Sequence, residues 1–359
     1  RNSAAGCRGA RHSRHDRPVD GGASGMKWYP WLRPSFEQLV GSYQAGRGHH
    51  ALLLQSLNGM GGEALIYALC RFLMCRQPEG HKSCGHCHSC QLMQAGTHPD
   101  YYALSPEKGK SALGIDAVRD VNEKLYEHAR LGGAKVVWIS DAALLTDAAA
   151  NALLKTLEEP PENTWFFLAC EEPARLLTTL RSRCRLHHLA PPSEPYALAW
   201  LEREVSLPQE SLLTALRLCA SAPAAALELL QEPLWTARQQ LCQALAATLA
   251  SGDWLALLPI LNHEQAAVRL HWLASLLVDA QKRQQGITLV SNPDVWPLLE
   301  QLAHSLPAAR LQAIAHDVCT CREQLLNVVG VNRELLLTER LLRWEHYLQP
   351  GTGLPVSHL

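Results

Sequence analysis

Residues 151–184 constrain the fold more than any other stretch, because the hydrophobic period changes inside it. Ala150, Leu153, Leu154 and Leu157 fall at i, i+3, i+4, i+7, the stripe of an amphipathic helix. Pro160-Pro161 ends that helix, since proline lacks the N–H and clashes with the preceding turn. Residues 165–170 then form a short, continuous apolar run, the pattern of a strand buried on both faces of a parallel sheet. Glu171-Glu172-Pro173 follows as a loop at the strand's carboxyl end, where open α/β sheets place their ligands. After a helical piece, Ser182-Arg183-Cys184 brings an arginine to the surface.

The string from Asn151 to Pro161, followed by Ser182-Arg183-Cys184, resembles the clamp-loader branch of the AAA+ ATPases, machines that open a ring-shaped sliding clamp and place it on primed DNA. The resemblance extends over nearly the whole chain from Met26, through Trp28-Tyr29-Pro30-Trp31, His49-His50-Ala51-Leu52 and Ala95-Gly96-Thr97-His98-Pro99-Asp100. It implies an α/β AAA+ fold, a parallel P-loop-type sheet with helices on both faces, over residues 26–190. A small helical lid over 191–233 and an all-α oligomerisation collar over 234–359 would follow. The implied partners are motor (gamma/tau) and delta subunits in a five-membered ring, with the sliding clamp and primed DNA reached through the complex. The implied setting is a DNA-directed DNA polymerase holoenzyme.

Length and charge narrow the classes. A chain of 359 residues exceeds one ordinary core. No apolar run approaches the roughly 18 residues of a spanning helix. With 33 basic and 34 acidic residues, a strong phosphate footprint of its own is not expected, so any DNA contact is local or shared. Twelve cysteines in a long chain whose first 25 residues lack an apolar signal core point to a reducing, cytoplasmic setting rather than to disulfides. Residues 1–25, rich in Arg, Gly, Ser and His, are expected to be a disordered extension before Met26, with a basic nucleic-acid arm as the sharper alternative.

After an expected helix over 36–43, residues 51–55 read as a first buried strand, and Ser56-Leu57-Asn58-Gly59-Met60-Gly61-Gly62-Glu63 occupies the place of a phosphate loop. Such a loop surrounds phosphates with backbone N–H groups, then supplies Lys to the β/γ-phosphates and Ser/Thr to Mg²⁺. Gly59 and Gly61, which shape the turn, are present. The lysine position holds Gly62 and the hydroxyl position Glu63, so a cation is lost and an anion gained. No bound ATP is expected.

Further departures come with the resemblance. Residues 135–140 read as a strand, and the family pattern puts Ser140 on the metal-binding Asp and Asp141 on the catalytic Glu. It puts Cys170 on the polar sensor of the next strand and Ala224 on the sensor arginine of the second domain. All point away from intrinsic ATP hydrolysis. In the same family the Ser-Arg-Cys arginine, here Arg183, enters the neighbouring subunit's ATP site and stabilises γ-phosphate charge in trans; the plain alternative is a surface salt bridge.

Cys75, Cys84, Cys87 and Cys90 form a C-x8-C-x2-C-x2-C set in a loop poor in apolar residues. Four thiolates suit tetrahedral Zn²⁺ and leave no open position, so a structural zinc site in an insertion over 75–90 is expected. His81, His86 and His88 lie in the same loop, and the cysteine set is complete without them.

Residues 101–104 read as a strand, and Asp116 as the cap of a helix lined by Val118, Val121 and Leu125. Lys108 and Lys110, flanking Gly109, are either solvated loop residues or contacts to DNA phosphate. Beyond Pro191-Pro192 the composition turns helical, with segments 196–204, 211–219 and 224–230. Two apolar stripes follow, each read as core rather than as a cofactor site: Val268, His271, Trp272, Leu276 and Leu335, Leu336, Leu341, Leu342, Trp344.

Two readings compete with a non-hydrolysing loader subunit. A diverged ATPase needs a replacement cation near Gly62, and that loop contains none. A zinc-dependent nucleic-acid-binding protein needs a basic, aromatic-laced knuckle, whereas the residues between Cys75 and Cys90 offer only Arg76 and Lys82 as cations and no aromatic.

Overall fold

The computed structural model describes residues 26–353, so the expected N-terminal extension lies outside the described residues. The chain divides into two compact units, with the break between Pro191 and Pro192.

The first unit is built on five strands, β1 (Ala51–Gln55), β2 (Tyr101–Leu104), β3 (Lys135–Ile139), β4 (Thr164–Cys170) and β5 (Arg185–His188), all parallel in the order β2-β3-β4-β1-β5. Six helices accompany them among the described residues: α1 (Arg33–Gln44), α2 (Gly62–Met74), α3 (His88–Ala95), α4 (Ile115–Tyr126), α5 (Asp147–Glu158) and α6 (Thr178–Arg181). The continuous apolar run finds its cause in β4, which lies between β3 and β1 and buries Phe166, Phe167 and Leu168. Its register sets Cys170 beside Gln55 at the carboxyl ends of the two strands. One face of the sheet is covered by α4 through Val118, Val121 and Leu125 and by α5 through Ala149, Ala150, Leu153 and Leu157. Each large apolar side chain buried there contributes about 1.5–3 kcal/mol.

Several boundaries move from expectation. α5 begins at Asp147, where the Thr146 hydroxyl accepts from Ala149 N–H as a side-chain cap. α4 begins at Ile115 with Gly114 as its cap residue, so Asp116 is not the cap; its carboxylate sits in the first turn, where the helix dipole favours it. Ser140 falls outside β3. The far end of α4 is closed by a buried lysine, Lys135, whose ammonium donates to the carbonyls of Leu125 and Glu127.

The second unit has no strand among its described residues. It comprises α7 (Glu194–Glu204), α8 (Gln209–Leu218), α9 (Pro223–Leu229), α10 (Leu234–Ser251), α11 (Leu258–Leu261), α12 (Ala266–Gln284), α13 (Trp296–Ser305), α14 (Ala308–Asn327) and α15 (Arg333–Leu348). In α12, Val268, Trp272 and Leu276 are buried, while His271 is half-buried and its Nε2 lies 3.3 Å from the Leu218 carbonyl. The α15 stripe is corrected: Leu337, Leu341 and Trp344 are buried, whereas Leu335 and Leu342 are exposed. A helix buries one face, and the i, i+4, i+7 set excludes residues on the other side.

A polar network joins α7, α8 and α10 to the segment before α13. Arg217 forks onto the Glu194 carboxylate at 2.9 and 3.0 Å and donates to the Val290 carbonyl. Arg238, 1 % exposed at its side chain, pairs with Asp294 at 2.6 Å and reaches Asn292 Oδ1 at 2.8 Å. Thr214 donates to the same Asp294 carboxylate. A guanidinium as buried as that of Arg238 needs these partners, and they link helices on both sides of residue 233 within one unit.

Candidate functional site

The turn after β1 has the backbone of a phosphate loop without its chemistry. Gly59 and Gly61 adopt φ of +82° and +81°, the left-handed conformation that makes this turn and caps α2. A β-carbon on Gly62 would lie 2.7 Å from Ser56 Oγ and 3.0 Å from a Leu54 methyl, so no side chain enters there without displacement. Glu63 places a carboxylate in the first turn of α2, where helix N-termini favour anions. The turn's polar groups are taken by the chain itself: Asn58 N–H donates to Glu171 Oε1 at 3.1 Å and Trp31 Nε1 to the Met60 carbonyl at 2.8 Å. Tyr29 stacks on Trp31 and stands against Gly61.

The positions that the resemblance assigns to an acidic pair hold Ser140 and Asp141. Ser140 follows β3 directly, and Asp141 spends an oxygen on Ala143 N–H, capping a short 3-10 turn. Cys170 is buried at the end of β4; burial and then the nearby Asp141 push its thiol up to about 12, so it is a neutral thiol. Ala224 lies in the first turn of α9 with no functional group to offer.

The four insertion cysteines do converge. The sulfurs of Cys75, Cys84, Cys87 and Cys90 all lie within 4.8 Å of one another, with Cys84 and Cys90 at 3.9 Å. A tetrahedron of metal–sulfur bonds of about 2.3 Å sets sulfur–sulfur separations near ~3.8 Å, so the set fits one cation. The backbone is arranged for thiolates, with N–H groups of Cys84, Cys87 and Cys90 directed at Cys75, Cys84 and Cys87 sulfurs. Burial opposes ionisation of Cys87, but N–H donors of Arg76 and Cys90 bring it down to about 6. Burial first and then Cys87 and Cys75 push Cys90 up to about 12. A divalent cation, where bound, would hold all four as thiolates. His86 lies outside the set, its Nδ1 2.9 Å from the Cys84 carbonyl.

The insertion is stitched to the sheet. Ser89 donates to the Met74 carbonyl at 2.7 Å and so accepts from His98 Nε2, while His98 Nδ1 accepts from Asp100 N–H. The buried Asp100 carboxylate takes the N–H groups of Arg130 and Leu131. Arg76 donates to the carbonyls of Leu131 and Gly132.

Arg183 sits between α6 and β5, in a turn fixed by Arg183 N–H to Leu180 O and Cys184 N–H to Arg181 O. Cys184 packs against the core cluster. The guanidinium is half-buried and ion-paired: Nη2 lies 2.5 Å from Glu158 Oε1, at the last residue of α5, and Nη1 donates to Thr179 O at 2.8 Å. Neither Glu158 nor Glu171 stood out in the sequence as a partner, because the contacts span 25 and 113 residues. In the loop around Gly109, Lys110 pairs with Glu107 at 2.5 Å and Lys108 is exposed.

Among the described residues no single helix is long and apolar enough to cross a membrane. Comparison with known families gives three adjoining matches. Residues 32–193 match the family described as DNA polymerase III, delta subunit; 192–231 match the DNA polymerase III subunit delta', AAA+ ATPase lid domain; and 232–346 match the DNA polymerase III, delta subunit, C terminal. The chain is similar to the DNA polymerase III subunit delta' of Escherichia coli K12, at 70% identity over 334 residues, 93% of this chain and 100% of that protein. The Yersinia pestis subunit delta' is 56% identical, covering 91% of this chain and 98% of its own length. The subunit tau of Escherichia coli K12 is 32% identical over 151 residues, 42% of this chain and 23% of that protein.

Proposed function

The chain belongs to the DNA polymerase III subunit delta' family and is a clamp-loader subunit, and from that premise we propose that it acts as a non-hydrolysing stator. The observation that carries this reading is the state of the phosphate loop. Its lysine and hydroxyl positions hold Gly62 and Glu63, a β-carbon on Gly62 would have to displace the Ser56 side chain, and Glu171 engages Asn58 N–H. A unit with no nucleotide has no ligand-driven reason to open and close, so it anchors subunits that do.

Arg183 carries the second half of the proposal. Its guanidinium enters the ATP site of a neighbouring motor subunit and stabilises charge on the γ-phosphoryl group as it transfers. Support comes from its place in Ser182-Arg183-Cys184, in the turn after α6, with Cys184 packed against the core cluster. The partners are gamma/tau motors and a delta subunit in a ring of five, joined through the collar over 234–359, which the lid over 191–233 precedes in the chain. The clamp and primed DNA are met through that ring, in the cytoplasm. Cys75, Cys84, Cys87 and Cys90 hold a structural Zn²⁺ that supplies rigidity to the insertion and no catalysis.

The test is the clamp- and DNA-stimulated ATPase of a reconstituted loader with Arg183→Ala. Arginine fingers are worth about 10³–10⁵ in rate, so the served site falls silent and the total rate loses that site's share. The isolated chain is expected to be inactive. Hydrolysis by the isolated chain, or an unchanged rate in the variant loader, would remove the reading.

A further inference from the structure

We propose that Glu158 is the holding partner of Arg183, keeping the guanidinium folded against its own chain until the γ-phosphate of a neighbour's nucleoside triphosphate replaces the carboxylate. The inference rests on the finger reading above and adds a positioning residue to it. Three observations carry it.

The first is the geometry of the pair. Arg183 Nη2 meets Glu158 Oε1 at 2.5 Å and Nη1 meets Thr179 O at 2.8 Å, so both terminal nitrogens face inward. Nε is buried without a hydrogen-bond partner among the described residues. The folded-back pose therefore leaves the buried Nε–H unused, and a side chain that leaves this pose can give that donor an acceptor.

The second is where the carboxylate stands. Glu158 is the last residue of α5, at the negative end of the helix dipole, a position unfavourable for an anion and favourable for a cation brought to it. Arg183 is drawn to that end. A triphosphate offers more charge and three terminal oxygens in place of the carboxylate's two, so it outcompetes the carboxylate when a neighbour presents it.

The third is exposure. Glu158 is 55% and Arg183 26% exposed at the side chain, so the pair is screened and exchangeable. The chain also shows what a permanent pair looks like: Arg238–Asp294, at 1% and 11% exposure, is enclosed by Asn292 and Thr214. Glu158–Arg183 lacks such an enclosure on the carboxylate side.

The experiment reads Arg183 directly. The full chain and its Glu158→Gln variant are treated with phenylglyoxal, and modification of Arg183 is followed by peptide mass spectrometry. Loss of a part-exposed ion pair is expected to speed labelling of the free variant by about two- to five-fold, and high salt is expected to narrow the gap. In the assembled loader, a slowly hydrolysed ATP analogue is expected to protect Arg183, with half-protection at about two- to five-fold lower analogue concentration in Glu158→Gln. Equal labelling of the two free chains, or half-protection at an equal or higher concentration in the variant, overturns the holding role. An absence of protection by nucleotide in the wild-type ring overturns the finger reading instead, and the free-chain labelling still reports on the contact.

Discussion

Glu171 Oε1 accepts a hydrogen bond from the backbone N–H of Asn58 at 3.1 Å, joining the loop after β4 to the turn after β1 across 113 residues of sequence. A carboxylate oxygen thus occupies a donor in a turn of the kind that elsewhere surrounds phosphate. Restoring only the missing motif residues, as Gly62→Lys with Glu63→Thr, is therefore expected not to restore nucleotide binding. The new β-carbon meets Ser56, and the Asn58 donor stays engaged. Titration with a fluorescent ATP analogue checks this; saturable binding by the double variant would show that sequence alone had closed the site.

The cysteine set predicts one tightly held zinc per purified chain, measured by elemental analysis. Cys90→Ser is expected to release it and to lower the thermal midpoint of the first unit by about 2–4 °C for each kcal/mol the metal contributes. Full metal occupancy in that variant would refute the ligand assignment.

Asp294→Ala removes the carboxylate that Arg238 faces at 2.6 Å and leaves a guanidinium of 1% exposure uncompensated. The expected cost is about 3–5 kcal/mol, read by urea denaturation. The double variant with Arg238→Met is expected to cost less than Asp294→Ala alone, because the stranded charge is gone. A loss below 1 kcal/mol, on the order of an exposed pair, would show the network to be dispensable.

His98 makes stability pH-dependent with a definite sign. Burial first, offset by Asp100, holds its ring below the ordinary histidine value of 6.5, and Nδ1 accepts from Asp100 N–H while Nε2 donates to Ser89. The unfolded chain therefore takes up the proton first. This contribution is intact above pH 6.5 and is eroded as pH falls from there through the folded value. Thermal midpoints from pH 7.5 to 5.5 are expected to fall more steeply for the wild type than for His98→Gln, and parallel slopes would exclude His98 as the cause.

Much of this protein was legible from pattern alone. The period change across 151–184 identifies a helix and a doubly buried strand, because β4 really is central and α5 really is one-sided. Gly59 and Gly61 mark a turn only glycine makes freely, and the cysteine spacing brings four sulfurs together because tight turns place them so. The misses were of two local kinds. Asp116 reads as a cap, yet Gly114 takes that place without a side chain. Leu335 and Leu342 read as core, yet the packed face of α15 runs through Leu337, Leu341 and Trp344.

Local spacing determined the strands, the helices, the two-glycine turn and the four-cysteine cluster, since each depends on residues close in the chain. Only the tertiary structure decided what those parts face. It put Glu171 on Asn58, Glu158 on Arg183, Asp294 on Arg238 and His98 on Ser89. In most of these a charged or polar group is satisfied by a partner from another element. Which carboxylate meets which guanidinium or N–H is set by strand order and helix packing, and the composition of a chain with 33 basic and 34 acidic residues leaves that choice open.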